Sequence, residues 1–307
     1  MSEVFVSLWT LVVFMAIGVA LVRARVFPAT ADRSLAKLAF YALIPALIFA
    51  SVSRADPAAM VSRVAVVNVL PLFIVFGAYY VLAVHVFRLK DGEQTIGALS
   101  ASYTNAGNIG AAYLLAVVGD VSPAAPIILV QLCVVTPLSF MALSRQTGQS
   151  GQGMWRDLFH AVSQPPVVSV VSGLVVALTG IQFPSFVMTP VDALADVAVP
   201  ISMMAIGMSL SSVTLPRVNR AVLPLVTAVV FQVFLVPLVT FGLAMAFKLS
   251  GVDLLTVMTL STIPTANNVF NYAHRYGVGV DLCRDTILLT VILSMPVLAV
   301  VVAIFHI

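Results

Sequence analysis

Two short stretches of this chain place asparagine where hydrocarbon would be expected. Ser100–Ala112 reads Ser-Ala-Ser-Tyr-Thr-Asn-Ala-Gly-Asn-Ile-Gly-Ala-Ala, and Ser261–Asn271 reads Ser-Thr-Ile-Pro-Thr-Ala-Asn-Asn-Val-Phe-Asn. Each lies inside a segment otherwise apolar enough to cross a bilayer. Asn105 and Asn108 stand around Gly107 and Gly110; Thr265, Asn267, Asn268 and Asn271 follow Pro264. Glycine and proline weaken or remove backbone hydrogen bonds, and amide side chains can replace them. Unsatisfied polar groups cost several kcal/mol in hydrocarbon, so irregular backbone survives there only when buried in protein or lining a wet cavity. The chemistry these residues suit is binding.

A helix break bares the N–H groups of the half-helix that follows it and the carbonyls of the half before. The N-terminal end carries partial positive charge and favours an anion. No Arg or Lys lies deep within an apolar run, so a small anion would be held by helix ends and amides. The alternative is interhelical glue, in which small residues and amides let helices pack and hydrogen-bond. Pro45 and Pro200 fall mid-run and either bend helices around the site or are tolerated kinks. Gln131 and Gln232 are more easily read as interhelical hydrogen bonders than as ligands. Asp120, Asp192 and Asp196 are placed near segment ends, and the four histidines have no metal-ligand spacing. Neither a nucleophile elbow, a zinc-peptidase motif nor a phosphate loop occurs, so neither catalysis nor a cofactor is expected.

What must position these residues is a set of membrane helices. Of 307 residues 61% are hydrophobic and 9% charged, against roughly 25% charged in soluble domains, and the mean hydropathy is +1.10. A net charge of +3 is no argument for nucleic acid. Cys133 and Cys283 fit no disulfide framework. Met1-Ser2-Glu3 lacks the basic start of a signal peptide, so the first run is expected to stay as a helix. Apolar runs occur near 4–22, 36–53, 64–87, 95–118, 124–143, 163–180, 191–210, 221–247, 254–272 and 285–305, which predicts ten transmembrane helices.

The Gly/Gln/Ser-rich stretch around 146–160 divides the runs into 1–145 and 161–307, and the halves look duplicated. Phe27-Pro28 recurs as Phe183-Pro184, Gly18 as Gly173, Pro45 as Pro200, Asn108 as Asn267 and Pro137 as Pro296, at nearly constant offset. Five helices per half is odd, so the copies must be inverted: the expected fold is an all-α inverted 5+5 repeat. With the N-terminus outside, the predicted cytoplasmic loops hold Arg23, Arg25, Arg33, Lys37, Arg88, Lys90, Arg145, Arg156, Arg217, Arg220, Arg275 and Arg284. The other side keeps Arg54, Arg63 and Lys248. That bias places both termini outside and the 146–160 loop in the cytoplasm.

The chain resembles the auxin efflux carrier family, the bacterial transporters related to plant PIN proteins. The resemblance rests on Asn105-Ala-Gly-Asn-Ile-Gly110, Ile263-Pro-Thr-Ala-Asn-Asn268, Tyr41-Ala-Leu-Ile-Pro-Ala-Leu47 and Val199-Pro-Ile-Ser-Met-Met-Ala-Ile-Gly-Met-Ser-Leu210, and it covers essentially the whole chain. It implies a scaffold of segments 1, 2, 6 and 7, a transport unit of segments 3–5 and 8–10, and interrupted fourth and ninth segments crossing at the substrate site. It further implies elevator-type movement in a bacterial inner membrane. Substrates would be malonate, malate, similar carboxylates or auxin-like acids. Many members carry proline soon after the first Asn-x-Gly, where this chain has Ala111-Ala112, so the fourth segment is expected to break less sharply than the ninth. Expected partners are the anion and the bilayer, with a homodimer left open. A sodium-coupled carrier of the bile-acid-symporter type is the competing reading, and an intramembrane enzyme or sensor the remote one.

Overall fold

The computed structural model describes residues 2–28, 30–54, 62–110, 113–114, 117–120, 122–148, 163, 165–210 and 222–305. They form α1 (Ser2–Arg23), α2 (Ala31–Ser53), α3 (Arg63–His85), α4 (Glu93–Ser102), α5 (Ala125–Gln146), α6 (Pro165–Thr179), α7 (Ser185–Leu210), α8 (Val222–Ala246), α9 (Gly251–Ser261), α10 (Asn267–Tyr276) and α11 (Val280–Phe305). No strand occurs among the described residues. The β-type pairing they contain is a bridge between Thr104 and Thr265. Six of these helices, α2, α3, α5, α7, α8 and α11, are long and apolar enough to cross a membrane. Large apolar side chains point outward, Leu178, Phe186, Leu238 and Ile304 among them, as lipid rather than water requires. Most of the stretch 146–160 lies outside the described residues.

Helix ends depart from the apolar runs in a consistent way. α2, α7 and α11 begin about one to two turns earlier than hydropathy suggested, and in α2 and α11 the added turns carry charged residues yet are helical. Arg284, expected in a loop, is in the first turns of α11, buried and paired with Asp281 and Asp285 at 2.7 Å each. Hydropathy reads the solvent a residue prefers, and such paired ends are satisfied by protein instead.

Three spans widen into a π turn: Ala39–Leu43 in α2, Gln131–Val135 in α5 and Phe231–Leu235 in α8. In each, proline follows two residues later, at Pro45, Pro137 and Pro237. A proline ring has no N–H and collides with the carbonyl of the preceding turn. One extra residue in that turn removes the collision without breaking the helix. Pro45 is therefore absorbed by its π turn.

α1 packs on α7, and α2 on both α6 and α7. The α1–α7 crossing is close: a Cβ at Gly18 would strike the Met204 carbonyl, and one at Gly207 the Met15 carbonyl. α4 packs between α3 and α8, and α9 likewise against α8 and α3. Between these groups lies a core rich in aromatic side chains, with Phe40, Tyr103, Tyr113, Phe140, Phe270 and Tyr272 fully enclosed.

Candidate functional site

The fourth and ninth apolar runs are both interrupted, and each break closes on the other. α4 ends at Ser102 and passes straight into extended chain at Tyr103, while α9 ends at Ser261, turns at Thr262 and is extended by Ala266. Asn105 N–H donates to the Pro264 carbonyl at 2.9 Å, and Ala266 N–H to the Tyr103 carbonyl at 2.8 Å. These are the two rungs of an antiparallel bridge, so each break supplies the hydrogen bonds that the other has lost. Carbonyls near the ends of the two helices also accept from hydroxyls one turn on. Ser100 donates to Ile96, Ser102 to Ala98, Ser261 to Met258 and Thr262 to Thr259, at 2.7–2.8 Å. Such back-bonding competes with helix continuation, and Ser100, Ser102, Ser261 and Thr262 were the signal in the sequence that marked where the helices stop.

The fourth break is the shorter of the two: Tyr103–Asn105 separate α4 from the π turn Ala106–Gly110, whereas residues 262–266 separate α9 from α10. Reciprocal pairing with Thr265 sets the break, so it does not depend on a proline further on.

Side chains from neighbouring helices pin both breaks. Gln131 Nε2 donates to Thr104 Oγ1 at 3.0 Å, and Gln232 Nε2 to the Ile263 carbonyl at 2.7 Å. Both glutamines project from π turns. Thr265 Oγ1 reaches the Ser100 carbonyl at 2.6 Å, and Asn105 Nδ2 reaches Asn267 Oδ1 at 3.3 Å.

Beside the bridge lies a cavity of about 50 Å³, lined by Leu47, Ile48 and Ser51 of α2, by Tyr103–Gly107, by Gln131 and its neighbours on α5, and by Ala266 and Asn268. That is room for several waters or one carboxylate group. Its lining carries no formal charge. α10 begins at its edge: the N-cap residue is Ala266, which makes no side-chain cap. The positive end of α10 is thus uncapped and next to the cavity. On the other side Tyr103 meets Tyr272 edge-on at 6.3 Å, and Tyr272 meets Phe140 at 4.9 Å. Tyr103 thus joins the cavity lining to the aromatic core.

The sequence candidates therefore separate. Asn105, Gly107, Gln131 and Asn268 line the cavity. Thr265 and Asn267 are buried behind it, holding the crossing. Asn271 faces α7, its amide 3.3 Å from Ser202 Oγ. Pro264 contributes its carbonyl to the bridge. Gly110 packs tightly: a Cβ there would come 2.7 Å from Ile263 Cδ1. Asn108 belongs to the π turn Ala106–Gly110, and its side chain lies outside the described residues. Pro200 is inside α7, away from the cavity lining. What sequence reading missed is the α2 wall, where Ser51, a hydroxyl two turns beyond Pro45, was the available signal.

Interrupted helices crossing at an uncharged, amide-lined cavity in an apolar all-helical chain define a membrane transporter rather than an enzyme. The chain belongs to the membrane transport protein family, also called the auxin efflux carrier family, whose model matches residues 3–302. It is similar to a Rhizobium meliloti protein named "Putative malonate transporter", 25% identical over 265 residues, covering 83% of this chain and 81% of that one. It is also similar to a protein of Methanocaldococcus jannaschii named an uncharacterized transporter, 23% identical over 271 residues, covering 85% and 86%.

Proposed function

We propose that the protein is a secondary transporter of a small organic anion, a mono- or dicarboxylate of the malonate or malate kind. The observation that carries this reading is the uncapped N-terminus of α10 beside an amide-lined cavity with no fixed charge. Partial positive charge attracts a carboxylate there, and several weak contacts let it leave again. The relative named as a malonate transporter supports the substrate class.

In this reading α1, α2, α6 and α7 are the scaffold, and α3–α5 with α8–α11 the transport unit. Two observations support the division. The pairs α1–α7 and α2–α6 exchange under the offset that relates the halves, as do α3–α4 and α8–α9. The cavity also has one wall from α2 and its other walls from the transport unit, so sliding along α2 would carry the site across the membrane. The chain would sit in a bacterial inner membrane with both termini outside.

Uptake of labelled malonate, malate, acetate and an indole acid into proteoliposomes tests this, with an imposed pH gradient in one arm and a sodium gradient in the other. Saturable uptake of a carboxylate is expected. Failure of every carboxylate to be taken up or to compete overturns the reading, and strict dependence on sodium favours the symporter alternative.

A further inference from the structure

We propose that His274 and Asp32 form a proton-binding site across the seam between scaffold and transport unit, so that proton occupancy is linked to the position of the unit. The inference rests on the two-unit reading above. His274 lies in the last turn of α10, Asp32 in the first turn of α2. Their Nε2 and Oδ2 atoms are 3.5 Å apart, and their side chains are 9% and 12% exposed. That nitrogen is buried and has no hydrogen-bond partner. Burial disfavours a charged imidazole more than the facing carboxylate favours one, so the His274 pKa is held below its ordinary value in this position. The Phe270 ring, at 4.4 Å and nearly perpendicular, holds the imidazole in place.

Other charges face the site from the elements packed on α10. Arg33 of α2 opposes a proton on His274, and Asp281 at the start of α11 favours one. Asp281 is already engaged by Arg284 at 2.7 Å. Arg275, next along α10, lies 5.6 Å from the Tyr276 ring. Asp32 is left as the direct partner. It belongs to α2 and His274 to α10, so the pair exists only while these helices touch. Sliding the unit separates the two groups and releases the imidazole from its burial, so that it takes up a proton from the adjacent water. Proton affinity then differs between the two positions, and by linkage protonation disfavours the position described above.

The test reads position without substrate. Spin labels go on Val197→Cys of α7 and Leu238→Cys of α8, both exposed sites, in a Cys133→Ala, Cys283→Ser background. Distance distributions are measured in nanodiscs between about pH 5.5 and 8.5, bracketing the imidazole range. Two populations are expected, with their ratio shifting away from the described position by about fivefold or more on acidification. His274→Gln should flatten that response, and Asp32→Asn, which removes the charge that favours the proton in the described position, should strengthen it. If His274→Gln does not fold, Asp32→Asn decides, since it keeps shape and leaves the imidazole in place. Two populations whose ratio ignores pH, or a response that survives His274→Gln or is unchanged in Asp32→Asn, overturns the proposal and leaves the transporter reading standing. One invariant distance at every pH, and with saturating malonate, overturns the two-unit movement together with it.

Discussion

At the residue scale, asparagines that looked alike in the sequence have different work. Asn268 is half-buried at the cavity edge in the first turn of α10, whereas Asn271, one turn on, is bonded to Ser202 of α7. Removing a hydrogen bond to a charged ligand costs about 1.5–3 kcal/mol, roughly a 10- to 150-fold loss of affinity. Asn268→Ala should therefore weaken carboxylate binding by that factor in calorimetry. Asn268→Asp is sharper, because it keeps the shape and sets negative charge beside the anion. It should abolish binding near neutral pH and recover partly on acidification, as the new carboxyl is protonated. Asn108→Asp is expected to behave likewise. Unchanged affinity in both aspartate variants would place the substrate elsewhere. Asn271→Ala, by contrast, should cost about 0.6 kcal/mol of stability, typical of interhelical hydrogen bonds in membranes, and leave affinity within about twofold.

The element scale concerns the two breaks. Pro264 cannot donate a backbone hydrogen bond, and its carbonyl accepts one from Asn105. In Pro264→Ala the restored N–H would let α9 run on toward α10, withdrawing the Pro264 carbonyl from the bridge and the N-terminus of α10 from the cavity. A folded protein with most transport lost is the expected result, seen as normal circular dichroism with uptake reduced at least tenfold, about 1.4 kcal/mol or more. Parental uptake would mean that the reciprocal bridge alone, without the proline, enforces the interruption. Proline acts differently in α2, α5 and α8, where a π turn accommodates the ring and the helix continues. In α5 and α8 that turn also aims Gln131 and Gln232 at the crossing. The same residue type ends one helix and only widens another, according to whether a partner strand is waiting.

For the whole molecule, the α1–α7 crossing sets how rigid the scaffold is. Gly207→Ala drives a methyl into the Met15 carbonyl and should destabilise by about 1–3 kcal/mol, lowering the melting temperature in detergent. Gly77 is the control: its helical position has open space around it, so Gly77→Ala should be neutral or stabilise by roughly 0.5–1 kcal/mol. Equal shifts for both would show that the crossing is not tight. Orientation is tested with Gly148→Cys, after α5, and Gly180→Cys, after α6, both exposed. A membrane-impermeant thiol reagent should label the second from outside intact cells and the first only after permeabilisation. Labelling of both from the same side would refute the inverted arrangement.

The sequence by itself determined that this chain lives in a bilayer, roughly where its apolar segments run, and that two of them are interrupted at Asn-rich, Gly- or Pro-marked positions. These are local properties: hydropathy needs only a window, and a proline obstructs its own turn wherever it stands. The four family motifs added transporter identity. Tertiary structure alone decided the rest. Thr104 and Thr265 are 161 positions apart, and nothing local says that their strands pair. Gln131 and Gln232 sit in helices that do not correspond between the halves, yet converge on the two breaks. Whether an asparagine meets a cavity or another helix depends on which neighbour packs there, as Asn268 and Asn271 show. Nothing local in the sequence singled out Asp32 or His274, because their burial arises only when α2 and α10 meet. A polar side chain in a membrane protein states that it needs a partner; the fold determines whether that partner is a helix, a proton or a substrate.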